Sequence, residues 1–332
     1  MKIIVDAMGG DHAPLEILRG CERAVQAYGV EILLVGLEEK LKAFSDQVDF
    51  SGMTLINASQ EILMTDHAEA VVREKKDSSM AVGMRLLHEG AGDAFVSAGN
   101  TGAVITGATL LVKRMPGVKR GAIGSVLPCA GRGKTLLIDC GANAECTPEF
   151  LHQFAVMGSL YMREFFGIEE PLVGLLSNGT EDTKGTKTHI EANALLRSDP
   201  SLHFAGNIEG RDGPLGAVDV IVADGFSGNV YLKTLEGMGK LISGSLKKVL
   251  YKNLRTKIGA LLMKKELTDF KKGLDYSEFG GAPILGVRGV VIKAHGSSDA
   301  RAFQNAIRQA IELSKAGMVE KMTAALSPVK DA

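Results

Sequence analysis

Six apolar runs in this chain end in the same way, at a short polar stretch rich in Gly, Asn, Ser and Asp. The stretches are VDAMGGDHAP (5–14), VSAGNTGA (96–103), LIDCGAN (137–143), LLSNGTEDTKGT (175–186), VADGFSGNV (222–230) and IKAHGSSDA (292–300). Continuous Val, Ile and Leu runs suit strands covered on both faces, as in parallel sheets flanked by helices. In such folds the loops at the carboxyl ends of the strands form the ligand crevice. Glycine lets backbone approach a ligand closely, and N–H groups at a following helix start attract anions. The pattern points to an enzyme whose site is built from backbone amides and small polar side chains around a phosphate-like ligand.

Strands are expected at 2–6, 31–36, 93–97, 135–139, 172–177, 219–223 and 289–293, with weaker ones near 53–56 and 202–205. Helical patterns lie between them at 14–28, 80–90, 101–113, 148–166, 187–198, 229–254 and 298–326. This alternation predicts an α/β fold, a mostly parallel sheet covered by helices on both faces. One segment departs from it: AIGSVLPCAGRGKTLLID (122–139) reads as two strands joined by a Gly-containing turn, an antiparallel hairpin. With no Pro- or Ser-rich linker and no repeat of fixed period, residues 1–332 read as one catalytic unit with a helical excursion at 236–275.

Composition narrows the function. A net charge of −1, no Trp and 5% aromatic residues argue against a nucleic-acid partner. Cys21, Cys129, Cys140 and Cys146 match no zinc spacing and read as reduced structural thiols of a cytosolic protein. No run of 18 apolar residues occurs, so no membrane span is expected. GRGKT (131–135) lacks the first glycine and the following helix of a P-loop, and no GxGxxG or GxSxG is present. Asp6, Asp139 and Asp224 read as strand-end residues that orient loops, so neither a metal nor a cofactor is expected. Direct attack by a bound nucleophile suits these loops better than a covalent enzyme intermediate.

The loop 177–187 sets Asn178, Thr180, Lys184 and Lys187 between a buried strand and a helix start, where a lysine can hold a phosphate dianion or simply face solvent. Asn229 opens the helical pattern after DGFSG, placed either to cap it or to donate to an oxyanion. In AHGSSDA, Ser297 or Ser298 reads as the cap, with His295 at the strand end as a structural or a chemical group. Across the loops the candidate substrate- and phosphate-binding set is Asp6, Gly9, Gly10, Ser97, Gly99, Asn100, Thr101, Asn143, Asn178, Thr180, Ser227, Gly228, His295 and Ser297.

Between Lys240 and Lys272 ten basic residues face only Glu266 and Asp269. Ile242, Leu246, Leu250, Leu254 and Ile258 recur every four residues, with Leu261, Leu262 and Met263 beyond. A basic amphipathic helix of this kind faces a membrane surface or an acidic protein, or is an ordinary dimer or core helix with a solvated face. Ile258, Leu261, Leu262, Lys264 and Lys265 are the candidate docking residues.

Taken together, the motifs VDAMGGDHAP, SAGNTGA, DCGAN, NGTEDTKG, DGFSGNVYLKTLEG, YSEFGGAPILG and IKAHGSSD resemble, in order and over nearly the whole chain, those of the PlsX family of bacterial acyl-acyl-carrier-protein:phosphate acyltransferases. The resemblance implies a fold similar to the isocitrate and isopropylmalate dehydrogenases, used without nicotinamide, and a homodimer. It implies attack of inorganic phosphate on the thioester of a long-chain acyl carrier protein, giving acyl phosphate for a membrane glycerol-phosphate acyltransferase of phospholipid synthesis. By motif, Lys184 and Asn229 are the catalytic candidates, and the 250–272 region is a tip held at the inner face of the cell membrane. A phosphotransacetylase-like enzyme using a coenzyme A thioester is the nearest alternative, told apart by which thioester is cleaved. A non-catalytic, membrane-associated scaffold for acyl carrier protein is the other, and it would need neither Lys184 nor Asn229.

Overall fold

The computed structural model describes residues 1–273 and 279–327. Residues 276–278 of the YSEFGGAPILG motif and the end of the 236–275 excursion lie outside the described residues. The strands are β1 (Lys2–Asp6), β2 (Glu31–Gly36), β3 (Met53–Asn57), β4 (Ala94–Ser97), β5 (Ala122–Cys129), β6 (Gly133–Ile138), β7 (Leu172–Leu176), β8 (His203–Ile208), β9 (Val220–Val222), β10 (Ala282–Leu285) and β11 (Val290–Lys293). The helices are α1 (Leu15–Tyr28), α2 (Glu38–Lys42), α3 (Ser79–His88), α4 (Thr101–Gly107), α5 (Pro148–Phe166), α6 (Lys187–Ser198), α7 (Asp212–Leu215), α8 (Gly225–Leu250), α9 (Leu254–Leu262), α10 (Lys264–Gly273), α11 (Ala300–Lys315) and α12 (Met318–Leu326).

All of these strands join one sheet in the order β3-β2-β1-β4-β11-β10-β5-β6-β9-β7-β8. The Val/Ile/Leu runs make its interior strands, with Ile3, Ile4, Phe95, Leu136, Ile138, Val220 and Ile292 fully buried. Helices pack on both faces, and two apolar clusters lie one on each side. The sheet is mostly parallel within two blocks, β3-β2-β1-β4-β11 and β6-β9-β7-β8. Between them β10 is antiparallel to both β11 and β5, and β5 is antiparallel to β6. The two blocks therefore run in opposite directions.

The register of the middle strands turns that reversal into a site. Pro283 pairs with Ile292, Ile284 with Ile123, and Gly124 with Ile138. Ile138 near the end of β6 and Ile292 near the end of β11 thus arrive at about the same level of the sheet from opposite sides. Polar loops following strands of both blocks open into one cleft.

Three local readings need correction. APILG was not expected as a strand, yet it supplies β10, the link between the blocks. The helix expected to start at 229 begins at Gly225, because Asp224 accepts the Ser227 N–H at 2.8 Å and caps it. The last long helix begins at Ala300 with Asp299, not Ser297 or Ser298, as its cap through the Ala302 N–H at 2.8 Å. In both cases an Asp side chain displaces the start from where the apolar period begins.

Candidate active site

The cleft is an open space of about 750 Å³ lined from both blocks. Thr101, Lys293, Ala294 and His295 come from the ends of β4 and β11. Cys140, Asn229, Lys233 and Glu236 come from the loop after β6 and from α8, and Phe279, Gly280, Gly281 and Ala282 lead into β10. Gly281 is held by its N–H on Gln309 Oε1 at 2.8 Å, while the Gln309 amide reaches the buried Tyr161 hydroxyl at 2.8 Å.

Two buried aspartates shape the loops on either side. Asp6 accepts from Ser79 Oγ at 2.6 Å, Ser97 Oγ at 2.7 Å and the Met8 N–H at 3.2 Å. Asp139 gathers the N–H groups of Ile123, Gly141, Ala142 and Asn143 and the Asn143 amide, at 2.7 to 3.2 Å. Burial pushes both carboxyls above the usual carboxylate value, and these donors hold them back down. Each therefore orients a loop and has little left to offer a ligand. Asn143 and Asn100 are committed in the same way. Asn143 Nδ2 also donates to the Gly121 carbonyl at 2.8 Å. Asn100 caps α4 through the Ala103 N–H and gives its amide to the carbonyls of Met64 and Asp66, all at 3.0 Å.

The glycines mark close approaches. A Cβ on Gly9 would crowd Asp6 Oδ2 and the Gly99 backbone at 2.6 to 2.8 Å. Gly10 has φ 120° and faces Ala98 and the Gly296 carbonyl. Ser97 Oγ, besides donating to Asp6, accepts the Gly99 N–H at 3.0 Å. Gly228 presses the first turn of α8 onto the Asp139 carbonyl.

Of the residues expected from sequence, the structure brings Thr101, Asn229 and His295 together in the cleft wall. Asn229 is exposed there, in the second turn of α8 and against Gly141. It is not the cap. The His295 ring accepts the Ser297 N–H on Nδ1 at 3.2 Å, with Ser297 Oγ at 2.9 Å from the same atom. Partial burial holds its pKa below the ordinary histidine value. Ser227 lies one turn behind the Asp224 cap.

Asn178, Thr180 and Lys184 do not line the cleft. They are exposed on the loop after β7, where Asn207 Nδ2 donates to the Glu181 carbonyl at 2.8 Å and Arg197 pairs with Asp182 at 2.7 Å. The stem of Lys184 lies over Gly179. Lys233, Glu236 and Lys293 are cleft residues that the sequence reading missed. Lys233 and Glu236 lie one and two turns beyond Asn229 on the same helix and pair with each other at 2.9 Å. That spacing was available in the sequence. Burial raises the thiols of Cys140 and Cys146, the latter to about 12, so neither is a nucleophile at neutral pH. Among the described residues no cluster of His, Cys, Asp and Glu forms a metal site.

A family model described as fatty acid synthesis protein matches residues 1–321. A phosphate acyltransferase of Acetivibrio thermocellus is 47% identical over 325 residues, covering 97% of this chain and 95% of its own, and one of Alkaliphilus oremlandii is 44% identical over 100% and 99%. The chain belongs to the PlsX family of phosphate acyltransferases. As a member of that family it is an acyltransferase enzyme of fatty acid and phospholipid synthesis. Among solved structures the EutD phosphotransacetylase from Staphylococcus aureus superposes with a TM-score of 0.61 at 19% identity, covering 95% of this chain and 94% of that one. A 4-hydroxythreonine-4-phosphate dehydrogenase from Klebsiella pneumoniae gives 0.53 at 13%, covering 95% and 99%. At these identities the likeness is one of fold, and this PlsX-family enzyme shares a dehydrogenase-like and phosphotransacylase-like α/β architecture with them.

Proposed function

We propose that the enzyme moves a long-chain acyl group from acyl carrier protein to inorganic phosphate within this cleft. The observation that carries the reading is the convergence of Lys293, Lys233, His295, Thr101 and Asn229 on one open space, a set of donors and cations suited to an anion and a developing oxyanion. A phosphate oxygen attacks the thioester carbonyl, the C–O bond forms, and the tetrahedral intermediate expels the carrier's thiolate as the C–S bond breaks. The thiolate then takes a proton from solvent. A thiol of pKa about 8.5 leaves without a strong acid, so positioning and oxyanion stabilisation are the tasks left to the protein.

Asn229, exposed beside Gly141, is the oxyanion donor in this reading. Lys184, on the loop after β7, is the second catalytic candidate. Residues 1–332 act as one catalytic unit and pair as a homodimer, for which the exposed Phe226, Val230, Met238, Leu241 and Ile242 of α8 are a suitable face. Ile258, Leu261 and Leu262 are 52%, 70% and 80% exposed on α9, with Lys264 and Lys265 beyond. This tip would rest on the inner face of the cell membrane, close to the membrane glycerol-phosphate acyltransferase that consumes acyl phosphate. No described helix is long and apolar enough to cross a membrane.

The test is to incubate the protein with phosphate and either an acyl carrier protein thioester or a coenzyme A thioester, and to trap acyl phosphate as the hydroxamate. Product from the carrier thioester is expected. Product from coenzyme A alone would favour a phosphotransacetylase-like enzyme, and none from either would sink the reading.

A further inference from the structure

Among the residues whose side-chain burial is described, Lys293 is the only buried lysine or arginine, 7% exposed at the carboxyl end of β11. An ammonium has three protons to donate. Two are aimed at backbone carbonyls, Ala294 at 2.5 Å and Ala98 at 3.4 Å. Asp6 and Asp11 act on it only through their field, without a hydrogen bond to it. The hydrogen bonds Asp6 accepts come from Ser79, Ser97 and Met8, not from Lys293. Burying a cation without a paired anion is costly, and such a group persists where something else supplies the charge. The second lysine of the cleft, Lys233, already has its carboxylate in Glu236 at 2.9 Å.

We propose that Lys293 is the anchor of inorganic phosphate in this enzyme, the group that holds the nucleophile at the Thr101–His295 side of the cleft. The assignment rests on the reading above, in which phosphate attacks the thioester. It gives Lys293 the phosphate contact that the sequence suggested for Lys184, whose loop lies outside the cleft lining. A phosphate there meets the third ammonium proton and faces Asn229 and Lys233 from the opposite wall.

The proposal is tested on the full chain in two ways. The first is kinetic. Lys293→Met keeps the length of the side chain and removes the charge, so the half-saturating phosphate concentration should rise by at least about tenfold, the loss expected with one charge-assisted hydrogen bond. Half-saturation by the acyl carrier protein thioester should stay near wild type, and Lys293→Arg should recover part of the loss. An unchanged phosphate dependence in Lys293→Met would overturn the assignment. The second needs no variant: crystals of the unmodified protein are soaked with arsenate, a heavier tetrahedral oxyanion. An anion within hydrogen-bond distance of Lys293 Nζ supports the proposal, whereas an anion on Lys184, or none in the cleft, overturns it. Arsenate on Lys293 with no acyl phosphate formed from either thioester would leave the anion site standing and remove the transfer reading.

Discussion

Gly228 lies against the carbonyl oxygen of Asp139 so closely that any Cβ there would stand less than 3.0 Å from it. The contact fixes the first turn of α8 on the loop after β6, and it is what sets Asn229 beside Gly141. Gly228→Ala should therefore destabilise the fold by about 1–3 kcal/mol as overpacking does, and should lower turnover further by displacing Asn229. Gly237→Ala in the same helix meets open space and should be neutral or stabilising by about 0.5–1 kcal/mol. Thermal melts and rates on the two variants check this. Equal behaviour of the pair would show that the Gly228 contact carries nothing.

Asn229→Ala separates chemistry from capping. Asp224, not Asn229, satisfies the helix start, so the variant should keep its stability within about 0.5 kcal/mol, as other exposed sites do. If the amide donates to the oxyanion, turnover should fall by about 10²–10³. Measuring melting temperature and turnover on one preparation decides it, and full activity would remove Asn229 from the mechanism.

Lys184→Ala should likewise leave the melting temperature unchanged, since the side chain is exposed, its stem lying over Gly179. As a catalytic candidate it should lower turnover by at least about tenfold while leaving the half-saturating phosphate concentration, which Lys293 sets, near wild type. A variant with wild-type rates would confine Lys184 to a solvated turn.

The charge of Lys293 predicts a pH dependence. Burial lowers its pKa to about 8, Asp11 and Asp6 work against that, and Lys233 works with it. An unfolded lysine titrates near 10.4, so between about 8 and 10.4 the folded chain binds fewer protons than the unfolded one. The penalty of the buried charge is thus fully present below about 8, and the stability contributed by this group rises with pH through that window. Phosphate binding goes the other way. Its half-saturation should climb as pH rises through about 8, because the ammonium is lost, and Lys293→Met should lack this limb. Phosphate dependence measured from about pH 7 to about 9.5 in both proteins is the check.

Replacing Ile258, Leu261 and Leu262 with Ser should release the protein from anionic vesicles while activity in solution survives. Reversing Lys264 and Lys265 should weaken vesicle binding mainly at low salt, since a lysine near such a surface is worth about 1 kcal/mol and is screened by ions. Sedimentation with vesicles reads both. Apolar variants that still sediment but fail to use acyl carrier protein would make this tip a carrier-docking surface.

The buried strands were legible because they are continuous apolar runs: β1, β2, β6 and β9 need no knowledge of their neighbours to be read. So was the shared side of Thr101, Asn229 and His295, as each follows a strand end across a loop rich in glycine. β10 was not legible, since Ala282–Leu285 is short, contains a proline and becomes a strand only between β11 and β5. A cap role stood open for Asn229 beside the donor role because the DGFSG stretch carries no helical period, and only the Asp224 contact moves the helix start forward. Lys293 was missed for a related reason. A lysine ending an apolar run reads as a strand stop facing water, whereas Lys293 sits inside the sheet, paired with Ser97 of β4 on one side and Ala282 of β10 on the other.

The order of the strands in the sheet has a consequence for chain synthesis. β10 and β11 join β4 to β5 across the middle of the sheet, yet they are the last of the described strands in the chain. Until residue 293 leaves the ribosome, β4 and β5 each present an unpaired edge and no wall of the cleft faces another. From the completion of β5 at Cys129 until β11 is made, the nascent enzyme carries both exposed sheet edges, a hazard for aberrant pairing. The site closes only when the final pair of strands slots between the halves, so the phosphate-anchoring lysine arrives with the same segment that joins them.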